Sequence, residues 1–330
     1  MKIQNNKTKT TTTILGALVI GLVLLSPTMM IPNVNAVPSQ HMPPPEVTQW
    51  LDGHPHFFGC VHFDLANHTS KEISCSHPGN PVYGSMKNGS PAHKIADYSY
   101  TASNLDCSSS CFTGGEFYNN GPYTQVTANS KVDTAPQTVP TKFGWWGGLT
   151  NCLQSCTASP PLLVQSGWNY QSSSGTTPNM FTEIVGNFYY GTTNCSTQFC
   201  GTLNAVHAND NLYITDYADN THSQWVAYVQ DNTYPSSNMF TIPFSTAGVS
   251  TDLPYVLTSL EAGGASTSGG NFPPSPISYT NEAIYKYGVG QVNTDTSSTG
   301  MKSYSGPTGG GITVTFTATG TSTATITDSY

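Results

Sequence analysis

Three polar side chains lie in runs of sequence that otherwise favour buried β-strands. Gln165 interrupts the apolar run "PLLVQSGW", Glu183 interrupts "NMFTEIVG", and Glu261 follows "YVLTSL" just before Ala-Gly-Gly. Burial of a carboxylate is unfavourable unless the group is paired or belongs to a functional site. The chain has only six glutamates, so two in strand-like runs are notable. These three positions are therefore the first candidates for chemistry.

The elements that would position them are strands. From about residue 96, short runs rich in Val, Ile, Thr, Tyr and Phe alternate with Gly, Asn, Ser and Pro. Many runs alternate polar and apolar residues with period two, and no stretch has a convincing helical periodicity. The sequence predicts an all-β sandwich. In such strands Gln165 shares a face with Leu163 and Gly167, and Glu183 shares one with Phe181 and Val185.

The N-terminus has the features of an exported protein. Three lysines precede the apolar run "ILGALVIGLVLL", and small residues follow up to Ala36. This pattern predicts a secretory signal peptide at residues 1–36 and a secreted, extracellular mature protein. No later segment is apolar enough to cross a membrane, so we expect no membrane association after the signal peptide is removed.

Changes in amino-acid composition along the chain predict three further segments. Residues 37–95 are rich in Pro, His and Gly and are expected to be an N-terminal extension or a prosegment. Residues 96–290 carry the strand-like runs and are predicted to form the sandwich. Residues 291–330 are a Gly- and Thr-rich tail that we expect to add one or two edge strands or to remain loose.

The charge pattern excludes some partners and indicates acid tolerance. The net charge is −8, only 8 % of residues are charged, and all the basic residues are lysines. Such a chain does not bind nucleic acid through a basic groove. A fold with few carboxylate salt bridges loses little stability when acid protonates them. A generic extracellular β protein rich in Ser and Thr would have the same composition, so this alternative stays open.

Eight cysteines in an exported chain predict disulfides, because the compartment is oxidising. Their spacing favours four local pairs: Cys60–Cys75, Cys107–Cys111, Cys152–Cys156 and Cys195–Cys200. His54, His56 and His62 could hold a metal ion, although an exposed loop explains them as well. We predict no metal and no cofactor.

An ordered series of motifs resembles the glutamic peptidases of the eqolisin (scytalidoglutamic peptidase) family. The series reads "TANSKVDTAPQTVP", "GWWGGL", "LVQSGW", "NMFTEIVG" and "YVLTSLEAGG", and "NFPPSPISYTNEAIY" resembles the closing strand of the family. The resemblance spans roughly residues 98–287. It implies a concanavalin-A-like β-sandwich of two antiparallel sheets, with the site on a concave face. The function it implies is that of an acid endopeptidase that acts on polypeptide substrates.

The resemblance also implies roles for individual residues. Gln165 falls on the catalytic glutamine, Glu261 on the catalytic glutamate, Glu183 on a supporting glutamate and Trp145 on a tryptophan beside the site. The chemistry is consistent, because a carboxylate with a pKa of about 4.3 is partly ionised in mild acid and can act as general base. A neutral amide can donate to the oxyanion without titrating.

Two other functions fit the same residues. A non-enzymatic extracellular β-sandwich could bind carbohydrate or a surface, because sandwiches of this shape carry unrelated functions. A glycosidase could use two carboxylates, Glu183 and Glu261. In each case we expect a monomer.

Overall fold

The computed structural model describes twelve parts of the chain, all within the unit Val37–Tyr330. These parts are residues 42–75, 111–136, 139, 142–151, 162–171, 174–186, 199–244, 250–263, 277–292, 302–304, 313–318 and 324–329. One helix, α1 (Pro45–Gly53), and sixteen strands lie in them. The strands are β1 (Gly59–Asp64), β2 (Thr69–Ile73), β3 (Cys111–Lys131), β4 (Lys142–Thr150), β5 (Leu162–Gln171), β6 (Asn179–Gly186), β7 (Phe199–Ala205), β8 (Asn211–Asp219), β9 (Gln224–Asp231), β10 (Ser236–Pro243), β11 (Leu253–Gly263), β12 (Ile277–Lys286), β13 (Gly290–Val292), β14 (Lys302–Tyr304), β15 (Thr313–Ala318) and β16 (Ala324–Ser329).

Eleven strands follow one another in a single curled sheet, in the order β2-β1-β10-β9-β8-β3-β11-β4-β5-β6-β7. The described pairings between these strands are antiparallel, as the register of β5 against β4 and β6 illustrates. The later strands attach beside this path, with β12 and β14 on β3 and β16 on β12. The prediction of an all-β sandwich is confirmed.

The curl brings two halves of the sheet face to face around one core. Strands β1, β8, β9 and β10 form the first half, and strands β11, β4, β5, β6 and β7 form the second. One buried cluster contains Trp225 and Phe240 from the first half together with Leu149, Val164 and Ile184 from the second. We call the side that carries this cluster the inner face, and the opposite side of each half the outer face. Burial of these apolar side chains is the main driving force for closing the two halves.

Strand β3 connects the halves. Its first part pairs with β11, with Phe117 opposite Leu257, and its last part pairs with β8, with Val126 opposite Asp216. Between these parts Gly121 lies close to the neighbouring strand, since a Cβ there would be 2.6 Å from the Cα atom of Pro254. A larger residue would push the two strands apart at this point.

Helix α1 covers the outer face of the first half and was not expected from the sequence. Its buried residues, Val47 and Leu51, pack with Val61, Tyr228 and Met239. Only these two positions of a nine-residue helix are buried, so the helical periodicity is too short to be recognised. The helix begins with Pro45, a residue that is tolerated in the first turn because its missing N–H has no partner there.

Residues 45–73 belong to the fold rather than standing apart from it. Strand β1 pairs with β10 over six residues, from Gly59 opposite Thr241 to Asp64 opposite Ser236. The predicted disulfide Cys60–Cys75 is confirmed. Cys107, Cys152, Cys156 and Cys195 lie outside the described residues, as does the predicted signal peptide.

The tail contributes more strands than expected. Three short strands, β14, β15 and β16, lie wholly in it and β13 ends in it, where we predicted one or two. Among the described residues, the single helix is too short to cross a membrane.

Candidate functional site

Gln165 and Glu183 lie opposite each other at the centre of two paired strands. Gln165 is in β5, and its antiparallel partner in β6 is Glu183. The Gln165 amide nitrogen donates a hydrogen bond of 2.6 Å to Oε2 of Glu183. Both side chains are buried, at 0 % and 1 % exposure. The structure therefore brings together two of the four residues that the sequence singled out.

The alternation of β5 explains why a glutamine lies in this apolar strand. Val164 belongs to the core between the halves. Its neighbour Gln165 therefore points to the outer face, because successive side chains of a strand point to opposite sides. The same alternation places Asn169 on the outer face, four residues further along the strand.

Glycines flank both outer-face amides on the neighbouring strand β4. Gly148 is the partner of Gln165, and Gly144 is the partner of Asn169. A Cβ at Gly148 would lie 2.4 Å from the backbone oxygen of Val164 and 3.0 Å from Cβ of Gln165. A Cβ at Gly144 would lie 2.7 Å from Cβ of Asn169. The two strands therefore approach closely beside each amide, and only glycine fits.

Several amide atoms on this face have no hydrogen-bond partner within the described parts of the chain. They are Oε1 of Gln165 and both Nδ2 and Oδ1 of Asn169, and both side chains are at most 1 % exposed. A buried polar group without a partner costs about 1–3 kcal/mol. Such groups call for an explanation, and a role in binding is one that fits a primary amide, which can both donate and accept.

Glu261 lies in β11, on the far side of β4 from Gln165. Its partner in β4 is Gly144, whereas the partner of Gln165 is Gly148. Glu261 and Gln165 are therefore offset by four residues along the strand direction. From ordinary strand spacings, the Cα atoms of Gln165 and Glu261 are about 16 Å apart, and those of Glu183 and Glu261 about 19 Å. The structure describes the backbone of Glu261 but not its side chain.

Trp145, the predicted wall of the site, lies on the inner face. Its partner in β5 is Trp168, whose indole N–H donates to Ser130 of β3 at 2.9 Å. Trp146, the next residue, takes the outer face and is the partner of Gly167. The tryptophan on the same face as Gln165 is therefore Trp146, and a one-residue change of register accounts for the difference.

A buried carboxyl group that the sequence analysis missed lies directly behind the site. Asp216 of β8 is fully buried on the inner face, and the Ser166 hydroxyl donates to its Oδ1 at 2.6 Å. Burial raises the pKa of Asp216 well above its ordinary value of 3.8, and the bond from Ser166 opposes this only in part. The sequence "NLYITDYA" indicated this burial, because Asp216 lies on the same face of the strand as the apolar residues Leu212 and Ile214.

The three histidines considered as metal ligands are not grouped. Nδ1 of His54 lies 2.7 Å from the backbone oxygen of Trp50, and Nδ1 of His62 lies 2.8 Å from Oδ1 of Asn238. Within the described parts of the chain, no three His, Cys, Asp or Glu side chains are close enough to hold a metal ion.

Comparisons with known proteins give partial likenesses of architecture. No family model matches the chain, and no curated protein matches it. Two solved structures of scytalido-glutamic peptidase, one with a peptide-based transition-state analogue and one with a transition-state-analogue inhibitor, are 14 % and 15 % identical to the chain, with TM-scores of 0.42 and 0.43. Each match covers 67 % of this chain and 98 % of the peptidase. A structure of alginate lyase A1-II' is 13 % identical over 57 % of this chain and 64 % of the lyase, with a TM-score of 0.26. At these identities and TM-scores, no activity follows from the similarity.

Proposed function

We propose that the protein is an acid endopeptidase that hydrolyses peptide bonds with a glutamate base and a glutamine amide. The observation that carries the proposal is the buried hydrogen bond of 2.6 Å between Gln165 and Glu183. It fixes the orientation of a primary amide whose other N–H remains for a ligand, since the amide has two N–H donors. The resemblance of the motif series to glutamic peptidases supports the same reaction.

In the proposed reaction Glu261 is the general base. Its carboxylate takes a proton from water, and the water oxygen attacks the carbonyl carbon of the substrate. Gln165 donates a hydrogen bond to the oxyanion, while Glu183 holds the amide in place. The tetrahedral intermediate then breaks its C–N bond, and Glu261 passes the proton to the leaving amine. The distance between the Gln165 and Glu261 backbones requires the substrate peptide group and the water to lie between the two side chains.

The site would work in acid because it uses no histidine, which would be protonated there and could not act as a base. A glutamate with an ordinary pKa is partly ionised near pH 4, and an amide does not titrate. A glycosidase reaction through Glu183 and Glu261 is less favoured, because Oε2 of Glu183 already accepts the hydrogen bond from Gln165, whereas a glycosidase needs both carboxyl groups to face the substrate.

Cleavage of a denatured protein between pH 2 and 5 tests the proposal. Gln165 and Glu183 are buried, so a substrate reaches them only after this face opens. The assay therefore uses protein both as purified and after incubation in acid. We expect cleavage by the wild type and by Thr221→Ala, a substitution at an exposed turn, and none by Gln165→Ala. Absence of cleavage by every sample, or full activity of Gln165→Ala, would overturn the proposal.

A further inference from the structure

A cavity lies between helix α1 and the β1–β2 hairpin, on the outer face of the first half. Its volume is about 460 Å³, within the range of about 300–1,000 Å³ that is usual for small-molecule sites. Trp50, Phe63 and Leu65 supply its apolar lining, and Glu46, Gln49 and Ser70 are among its polar residues. We call it the helix–hairpin cavity. Gln165 is on the other half of the sheet and takes no part in it.

Trp50 is a rigid wall of this cavity. Its ring stacks on His54 with a centroid distance of 4.0 Å and an interplanar angle of 9°. Phe57 and Phe63 meet it edge-on, at 4.7 Å and 6.2 Å. A side chain that is fixed before binding loses little conformational entropy when a ligand arrives.

The charged groups of the cavity are already satisfied. Oε1 of Glu46 lies 3.0 Å from Nδ1 of His68. The two carboxylate oxygens of Asp64 accept bonds from the backbone and side-chain nitrogens of Asn67, at 3.0 Å and 2.7 Å. These bonds hold the pKa of Asp64 below its ordinary value. A charged ligand would compete with these partners, so the cavity favours a neutral one.

The remaining polar groups can both donate and accept. The side chains of Gln49 and Ser70 line the cavity, and both residues are exposed. Ser70 is the strand partner of Phe63, so its hydroxyl lies beside the apolar lining. An amide and a hydroxyl next to an aromatic wall suit a ligand that has hydroxyl groups on its rim and C–H groups on its face.

We propose that the helix–hairpin cavity binds a neutral sugar ring. The C–H face of the ring packs against Trp50, and its hydroxyls bond to Gln49 and Ser70. This site is independent of the proposed peptidase reaction, and its ligand need not be cleaved. A secreted protein with such a cavity would attach to glycans on a surface or on a glycoprotein.

Tryptophan fluorescence reports directly on ligand binding, because Trp50 is the one tryptophan of the five in the chain that is not buried. The other four, Trp145, Trp146, Trp168 and Trp225, are at most 2 % exposed. The full-length protein is titrated with methyl glycosides of glucose, galactose, mannose and N-acetylglucosamine. The expected dissociation constant for one sugar ring is about 1 mM, so titration to about 50 mM reaches saturation. Saturation-transfer NMR on the same glycosides provides a second measurement that does not depend on fluorescence.

Variants locate the binding. We expect Trp50→Phe to remove the fluorescence change, and Gln49→Ala to weaken binding about fivefold through the loss of one hydrogen bond. Ser70→Tyr fills the cavity from an exposed strand position and should abolish binding. Thr48→Ala, exposed on the same helix and outside the cavity, should bind like the wild type. Thermal unfolding of each variant confirms that it is folded. The proposal is overturned if no glycoside binds, or if folded Ser70→Tyr binds as tightly as the wild type.

Discussion

The Gln165 amide donates a hydrogen bond of 2.6 Å to the Glu183 carboxylate, and both side chains are almost completely buried. The two residues are direct partners across β5 and β6, so the backbone register itself brings them together. Removal of either partner of a buried hydrogen bond leaves the other polar group unsatisfied. This pair therefore contributes to stability as well as to the proposed chemistry, and the two contributions can be measured separately.

Replacement of Gln165 by leucine should destabilise the fold. The change removes a donor from a buried glutamate, and we expect the free energy of unfolding to fall by about 2 kcal/mol. Glu183→Gln keeps the shape and allows an amide–amide bond, so its effect should be smaller. Urea unfolding at one pH measures both variants. Equal stability of Gln165→Leu and the wild type would contradict a structural role for this bond.

The close approach of β4 and β5 predicts that Gly148 cannot be replaced. The Cβ of an alanine there would lie 2.4 Å from the backbone oxygen of Val164, which cannot move away without disturbing the strand pair. We expect Gly148→Ala to lower the free energy of unfolding by about 1–3 kcal/mol. Gly53→Ala is the matched control, because nothing lies within 4 Å of a Cβ at that position. Similar stability of the two variants would show that the strands are further apart than described.

Asp216 should make the protein more stable in acid than at neutral pH. The pKa of Asp216 is raised in the folded state, so its contribution is complete below the unfolded value of 3.8 and is lost as pH rises towards the folded value. Within that window the loss is up to about 1.4 kcal/mol per pH unit. Unfolding of the wild type and Asp216→Asn at several pH values measures the difference. The variant should lack this slope, and identical slopes would contradict the assignment.

The disulfide Cys60–Cys75 should hold the N-terminal strands on the sheet. The two cysteines are 15 residues apart, and chain entropy predicts about 3 kcal/mol for a loop of that length. The double variant Cys60→Ala/Cys75→Ala should lose about this amount of unfolding free energy. Hydrogen exchange should show the loss of protection in β1 and β2. An unchanged free energy of unfolding would mean that pairing of β1 with β10 alone fixes this segment.

Local composition, with runs of apolar and β-branched residues bounded by turn residues, was sufficient to predict the strands around Gln165 and Glu183. It could not give the register between strands, which depends on residues far apart in the sequence. Trp145 and Trp146 illustrate this, since a shift of one residue exchanges their faces. Helix α1 was not predicted because Val47 and Leu51 are its only buried residues, which is too few to give a helical pattern. The burial of Asp216 was not predicted, because its partner Ser166 is fifty residues away and contacts it only when the two halves of the sheet close.

The proposed reaction requires Gln165 and Glu261 to act together on a peptide bond in acid. Its most direct test is kcat/KM for a fluorogenic peptide, measured from pH 2 to 6 for the wild type, Gln165→Ala and Glu261→Gln. We expect the wild type to be active in acid and each variant to lose at least about 100-fold in kcat/KM, the usual effect of removing an oxyanion donor or a general base. Wild-type kcat/KM in folded Glu261→Gln would contradict the claim.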